Sequence, residues 1–101
     1  KFYPLQVKDI LYFYTANEKV TAYTSDGKQH PVDRTLDALG DQLDERHFFR
    51  ANRQYIINVE HVLFLGNYFG GKLIVRLKGY PKTEIQVSKE KAQRLKEWID
   101  R

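Results

Sequence analysis

Short runs of alternating hydrophobic and polar residues cover most of the chain, and most of them end at turn-forming residues. Residues 19–24 alternate in this way, whereas residues 10–14 form a continuous apolar and aromatic run; the β-branched and aromatic side chains of both runs favour strands. In the alternating run Val20 and Ala22 fall on one face, and Thr21 and Tyr23 on the other. We therefore predict two strands here, joined by a turn over residues 15–18.

The same pattern predicts a mainly antiparallel arrangement of further strands. They are expected at residues 29–32, 62–65, 72–77 and 83–87, with turns at 25–28 and 79–82 and a glycine-rich loop at 66–71. Phe2, Tyr3, Leu5 and Val7 predict an additional edge strand, which Pro4 interrupts. Strands do not alternate regularly with helices, which disfavours a parallel sheet.

Two segments have helical spacing instead. Leu36, Leu39 and Leu43 recur every three to four residues in a helix predicted over 33–43, which Asp33 or Thr35 can cap. A C-terminal helix is predicted after Ser88, to about residue 100. Its expected buried face consists of Ala92, Leu95, Trp98 and Ile99.

The stretch 48–62 combines buried and polar character most sharply. Apolar blocks at 48–49 and 55–57 flank a polar segment that contains Asn52, Arg53 and Gln54. Because burying an unpaired polar group costs about 1–3 kcal/mol, these three side chains are expected at the surface. Arginine and amide side chains held on a rigid loop suit phosphate oxygens and base edges.

This stretch also carries a resemblance to a known family. The pattern Phe48-x-Arg50-x-x-Arg53-x-x-Ile56-Ile57-Asn58-x-x-x-Val62 resembles the signature of the LytTR DNA-binding domain, the output half of many bacterial response regulators. The family usually has His-Arg-Ser where this chain has Asn-Arg-Gln, and the resemblance extends over roughly residues 5–97. It implies small antiparallel sheets packed in layers, with one short internal helix and one C-terminal helix. It also implies that loops, and not a recognition helix, enter the major groove of DNA.

The resemblance and the residue chemistry together give a set of candidate site residues. The predicted DNA contacts are Asn52, Arg53, Gln54, Lys89, Lys91, Lys72, Asn17 and Lys19, and Arg50 and Asn58 are predicted to support the DNA loop structurally. The segment 87–89 resembles the family's Val-Ser-Arg, and its lysine favours phosphate contact over base reading. For the turn that holds Asn17 and Lys19, an ordinary hairpin remains an equal alternative.

Composition and charge narrow the function further. The chain has 101 residues, no cysteine and three histidines far apart in sequence, so neither a disulfide framework nor a metal centre is predicted. Residues 1–47 carry six Lys/Arg against eight Asp/Glu, whereas residues 48–101 carry eleven against five. A basic half suits nucleic acid, although a solubilising surface would give the same balance.

These observations favour a specific function and leave one alternative. We expect a single cytoplasmic domain over residues 1–101, without enzymatic activity or cofactor, that forms part of a longer chain with an N-terminal receiver or sensor domain. It is expected to bind double-stranded DNA at direct repeats as a dimer, as the effector of a bacterial two-component system. The alternative is a β-rich protein–protein interaction module.

Overall fold

Eight strands form two antiparallel sheets in the computed structural model, which describes residues 6–100. The strands are β1 (Ile10–Ala16), β2 (Lys19–Thr24), β3 (Gln29–Val32), β4 (Phe48–Arg50), β5 (Tyr55–Asn58), β6 (Val62–Asn67), β7 (Leu73–Leu77) and β8 (Tyr80–Val87). The helices are α1 (Leu36–Gln42) and α2 (Lys89–Asp100). The five-stranded sheet has the order β3-β2-β1-β5-β4, and the three-stranded sheet has the order β6-β7-β8. The mainly β, antiparallel fold with two helices is confirmed.

One hydrophobic cluster lies between α1 and the five-stranded sheet. Leu36 and Leu39 of the helix are buried there together with Phe13, Phe48 and Ile56 of the sheet. The helix begins at Leu36 because the Thr35 hydroxyl accepts a hydrogen bond from the Ala38 amide at 3.0 Å. Thr35 therefore caps the helix, and Asp33 lies before it.

A second cluster fills the space between the two sheets and α2. Its buried members are Leu11, Tyr12, Phe49, Ala51, Ile57, Leu73, Val75, Leu77, Ile85, Val87, Ala92 and Leu95. The prediction that Ile99 is buried is wrong, because its position near the end of α2 leaves it 37% exposed. Trp98 is partly buried, and its indole N–H donates to the Glu45 carbonyl at 3.0 Å.

Strand β5 connects the two clusters. It lies between β1 and β4, and its consecutive residues Ile56 and Ile57 point to opposite faces of the sheet, as strand geometry requires. Ile56 belongs to the first cluster and Ile57 to the second. The loop between β4 and β5 is therefore anchored on a strand that both clusters hold.

Several further local predictions differ from the structure, among them the glycine-rich loop at 66–71, which is shorter because β6 continues to Asn67. Val7 does not belong to a strand, because Val7–Asp9 is a 3₁₀ turn closed by a bond from the Asp9 amide to the Gln6 carbonyl at 2.9 Å. The other predicted strand residues, Phe2, Tyr3 and Leu5, lie outside the described residues. The turn predicted at 15–18 is shorter, since β1 continues to Ala16.

The predicted turn at 79–82 is also too long. Strand β8 already begins at Tyr80, which pairs with Leu77, and Gly79 with φ of 84° supplies the reversal. Pro81 is compatible with this strand because β8 is an edge, where a residue without an amide hydrogen is tolerated.

Candidate nucleic-acid interface

The loop between β4 and β5 is braced from one side by Arg50. Its Nε donates to the Asn52 carbonyl at 2.7 Å, and its Nη2 donates to the Arg53 carbonyl at 2.8 Å. The remaining Nη1 donates to Asp37 Oδ1 of α1 at 2.9 Å. The guanidinium thus fixes two consecutive loop carbonyls and ties them to the first helix, which is the geometry that structural support requires.

Asn52 braces the loop from the other side. Its Oδ1 accepts from the amides of Gln54 at 2.8 Å and Tyr55 at 3.1 Å, and its Nδ2 donates to the Gln86 carbonyl of β8 at 2.7 Å. An amide side chain has two donor hydrogens, so one remains for a partner outside the protein. Asn52 therefore links the loop to the small sheet, and its predicted DNA contact rests on that one hydrogen.

Arg53 and Gln54 project from this braced loop. Both are exposed. Within residues 6–100, the Arg53 guanidinium forms no ion pair or hydrogen bond. The side-chain amide of Gln54 forms no hydrogen bond there either. The backbone of Gln54 is fixed, because its carbonyl accepts from the Thr15 amide of β1 at 3.0 Å. Two side chains with free donors thus stand on a fixed backbone.

An open groove of about 760 Å³ runs along one side of the loop. It brings together segments that are far apart in sequence: the loop, the residue before β7, the end of β8 and the residue before α2. The polar residues that line it include Asn52, Arg53, Gln54, Lys72, Gln86 and Ser88. Glu84 lines it as well, but its carboxylate pairs with Arg76 Nη2 at 2.6 Å.

A second groove borders the other side of the loop. It is lined by Arg50 and Arg53, by Glu18 and Lys19 at the β1–β2 turn, and by residues 31–37 around the start of α1. Asn17 and Glu18 form this turn with φ of 52° and 63°, a conformation in which asparagine is among the favoured residues. Turn geometry is therefore sufficient to explain Asn17, while Lys19 is exposed beside Arg53.

The two lysines at the start of α2 have different surroundings. Lys91 is partly buried, and its Nζ donates to the Arg50 carbonyl at 3.1 Å. Burial lowers the pKa of Lys91, and the nearby charges of Arg50 and Arg94 lower it further. Lys89 is exposed, and its aliphatic stem passes beside Gly71. The structure thus separates two residues to which the sequence assigns one role.

Comparison with known proteins identifies the family. The sequence model of the LytTr DNA-binding domain matches residues 1–100, which is nearly the whole chain. The chain belongs to the LytTR family. No curated protein sequence gave a significant match.

The fold of this LytTR domain also matches a solved structure. That structure is the LytTr DNA-binding domain of a Bacillus cereus protein assigned as a methyl-accepting/DNA response regulator. The TM-score is 0.83 at 15% sequence identity, and the alignment covers 96% of this chain and 86% of the other. Among the described residues of the LytTR domain, no helix is both long and apolar enough to span a membrane.

The last predicted support residue of the LytTR domain, Asn58, lies away from the loop. It is buried at the opposite end of β5, where its Nδ2 donates to the Ile10 carbonyl at 2.9 Å. Its Oδ1 accepts from the Glu60 amide at 3.0 Å. Asn58 therefore joins the start of β1 to the turn after β5, and among the described residues its side chain makes no hydrogen bond to the loop.

One residue at the grooves was missed by the sequence analysis. Gln86 is exposed on β8 between the buried Ile85 and Val87, and its carbonyl accepts from Asn52. The alternation of residues 85–87 indicates that Gln86 faces outward. The pairing of β8 with the loop, however, depends on packing between two sheets, which the local pattern does not show.

Proposed function

We propose that this LytTR domain is the effector part of a bacterial two-component transcription regulator in the cytoplasm, and that it binds specific sites on double-stranded DNA. This proposal rests mainly on the geometry of the loop between β4 and β5. The loop presents Arg53 and Gln54 without partners among the described side chains, on a backbone that hydrogen bonds fix from several sides. Such pre-organisation lowers the entropy cost of forming specific contacts.

In this proposal the loop enters the major groove. The Arg53 guanidinium is suited to bidentate bonding with guanine, and the Gln54 amide is suited to adenine. The remaining amide hydrogen of Asn52 can donate to an acceptor on a base edge or a phosphate. Base reading is assigned to this loop because its free donors are the most rigidly supported ones in the two grooves.

Lysines around the two grooves complete the proposal by holding phosphates. Lys72 lines the groove on one side of the loop and Lys19 the groove on the other, while the stem of Lys89 lies beside Gly71, next to Lys72; all three lysines are exposed. Asn17, beside Lys19, can add a neutral contact. Lys91 is bonded through its Nζ to the carbonyl of Arg50, the residue that precedes the loop. Its charge adds to the field that attracts phosphate.

The proposed assembly is a dimer on direct repeats, with a receiver domain preceding this one. The Bacillus cereus structure, which comes from an assigned response regulator, supports the link to two-component signalling. The described chain enters β1 at Ile10, whereas Thr15, near the other end of that strand, bonds to the loop at Gln54. A domain attached before β1 would therefore approach from the end that lies away from the proposed DNA surface.

The proposal is tested by selecting bound sequences from random duplex DNA with this domain. We expect one enriched motif, which Arg53→Ala abolishes. The salt dependence of affinity distinguishes DNA binding from the alternative, a protein-interaction module. For DNA binding, log affinity should fall by about one unit per phosphate contact for each unit of log salt. Failure to enrich any motif, or a flat salt dependence, would contradict the proposed function.

A further inference from the structure

The turn after β6 exposes an aromatic pair that the proposed function does not use. Phe69 is 78% exposed, more than any other large hydrophobic residue of the described chain, and Tyr68 is 42% exposed. The two rings contact each other edge to face, with centroids 4.7 Å apart. Because most of the Phe69 ring faces water, contact with a partner would remove apolar surface from water, which is favourable.

The turn holds Phe69 in a fixed position. The Tyr68 amide donates to the Lys72 carbonyl at 2.9 Å, and the Lys72 amide donates back to the Phe69 carbonyl at 3.2 Å. Gly70 and Gly71 close the turn with φ of 65° and 81°, values that other residues rarely adopt. The exposed ring is therefore presented by a closed turn that two backbone hydrogen bonds define.

Cationic residues lie on both sides of this turn. A Cβ on Gly71 would lie 3.1 Å from Cγ of Lys89, so the lysine stem passes directly beside the turn. Lys72 follows the turn and lines the same groove as Arg53 and Gln54. The aromatic pair is thus continuous with the surface that carries the proposed DNA contacts.

We propose that Phe69 is an apolar DNA contact, which packs against deoxyribose and base edges between the phosphates that Lys72 and Lys89 hold. This inference rests on the proposed function and adds a contact on this turn to it. Nucleic acid is the occupant that the surroundings of Phe69 favour, because a polyanion satisfies the flanking lysines while its sugars and bases offer apolar surface. Apolar side chains, phenylalanine among them, contact the thymine methyl group at base edges, and cationic side chains hold the phosphates.

The contact has a signature that distinguishes it from those of the lysines. An apolar ring displaces water but releases no counterions, so removing it should weaken binding without changing the salt dependence. Removing a lysine that contacts phosphate should instead reduce the slope of log affinity against log salt by about one unit. Tyr68 supports the ring from its edge and is a positioning residue.

The experiment measures the affinity of Phe69→Ala for a duplex with one copy of the selected site, at several salt concentrations. We expect affinity about tenfold below that of the unchanged domain, with the same salt slope. Phe69→Leu should recover part of the loss. The matched control is Leu63→Ala, which truncates another exposed side chain, 55% exposed near the start of β6, and should leave affinity unchanged. Lys72→Ala, measured in parallel, should reduce the slope.

Any of four results would overturn the inference. The first is Phe69→Ala binding as tightly as the unchanged domain, the second is an equal loss for Leu63→Ala, and the third is a reduced salt slope for Phe69→Ala. A loss seen only on a duplex with two sites would assign the ring to a contact between two copies of the domain, which also overturns it. Arg53→Ala distinguishes these outcomes from failure of the proposed function, because it should abolish specific binding whether or not Phe69 contacts DNA.

Discussion

Two arginines three positions apart illustrate how differently one residue type is used in this domain. Arg50 donates three guanidinium hydrogen bonds inward, to two loop carbonyls and to Asp37, and is partly buried. Arg53 is exposed, and its guanidinium has no partner among residues 6–100. The first therefore stabilises the loop, whereas the second has all of its donors available for an external acceptor.

Arg53→Ala should remove specific DNA binding and leave the fold unchanged. A bidentate arginine–guanine contact discriminates by about 1–3 kcal/mol, which is roughly 5- to 150-fold in affinity. Because the Arg53 side chain is exposed and forms no hydrogen bond or ion pair within residues 6–100, the melting temperature should stay the same. Affinity is measured on the preferred duplex and on a scrambled one, and the melting temperature is measured on the free domain.

Arg53→Lys is the matched control for this prediction. It keeps the positive charge but loses the planar fork that bonds to two acceptors at once. We expect it to retain binding to scrambled DNA while losing preference for the selected site. If either variant bound the preferred site as well as the unchanged domain, the loop between β4 and β5 would not be the base-reading element.

Lys89→Ala and Lys91→Ala should have separable effects. Lys89 is exposed at the start of α2, where a cation is unfavourable by about 0.3–1 kcal/mol, so its removal should slightly raise the melting temperature. The same change should reduce the salt slope by about one unit. Lys91→Ala removes the bond to the Arg50 carbonyl and should lower the melting temperature instead, by roughly 4–8 °C if the bond contributes about 1 kcal/mol.

The measurements are thermal melts of the two variants and their affinities for one duplex over a range of salt. Equal changes in salt slope would mean that both lysines contact phosphate. An unchanged melting temperature for Lys91→Ala would show that its bond to β4 contributes nothing to folding.

The hairpin formed by β4 and β5 is the element on which loop geometry depends, and Arg50→Ala tests it. This change leaves the carbonyls of Asn52 and Arg53 without their donor, so the loop should become mobile. Ordering it again on DNA costs about 1 kcal/mol for each side chain immobilised, which predicts several-fold weaker specific binding. Asp37→Asn is the control: Asp37 is 92% exposed, its surface ion pair contributes about 0–1 kcal/mol, and both loop bonds remain.

Affinity for the preferred duplex is measured for both variants, together with amide hydrogen exchange of residues 51–54. Arg50→Ala should accelerate exchange in the loop, whereas Asp37→Asn should not. Similar losses of affinity in the two variants would place the support of the loop in α1 and not in the loop carbonyls.

Local pattern was sufficient to predict most elements, and it failed where tertiary contacts decide. Strands β2 and β3 and the two turns that contain glycine at 27 and 79 follow from alternation and turn chemistry, which act over a few residues. The start of β8 does not, because Pro81 indicates a turn unless the strand is known to be an edge. Ile99 has correct helical spacing, but it lies one residue before the end of α2, and it is exposed there.

The candidate site was predictable as a set of residues but not as an arrangement. The polar segment between two apolar blocks predicts the exposure of Arg53 and Gln54 because burial of unpaired polar groups is costly. The engagement of Asn52 with Gln86 and of Lys91 with Arg50 joins residues 34 and 41 positions apart. Such contacts depend on how the two sheets and α2 pack together, and nothing in the local sequence encodes them.

Across the whole molecule, the proposed DNA surface is assembled from elements that two hydrophobic clusters hold together. Both sheets and the start of α2 contribute to the two grooves, so their relative position sets the spacing of the cationic groups. The second half of the sequence supplies the basic excess, and it also supplies β5, which both clusters bury. Stability and DNA binding are therefore coupled through β5, which both anchors the loop and contributes to the two clusters.

Ile57→Ala tests that coupling. Ile57 is fully buried in the cluster between the sheets, and truncating a buried isoleucine to alanine costs about 2–5 kcal/mol. For a domain of this size, the melting temperature should fall by at least roughly 8 °C. Leu63→Ala removes a similar side chain that is 55% exposed, and it should stay within about 0.5 kcal/mol of the unchanged domain.

Below its melting temperature Ile57→Ala should still prefer the same DNA sequence as the unchanged domain, because the donors of Arg53 and Gln54 are untouched. A melt within one or two degrees of the unchanged domain would show that β5 is not central to the core, and a changed base preference would show that the loop is positioned less rigidly than its hydrogen bonds indicate.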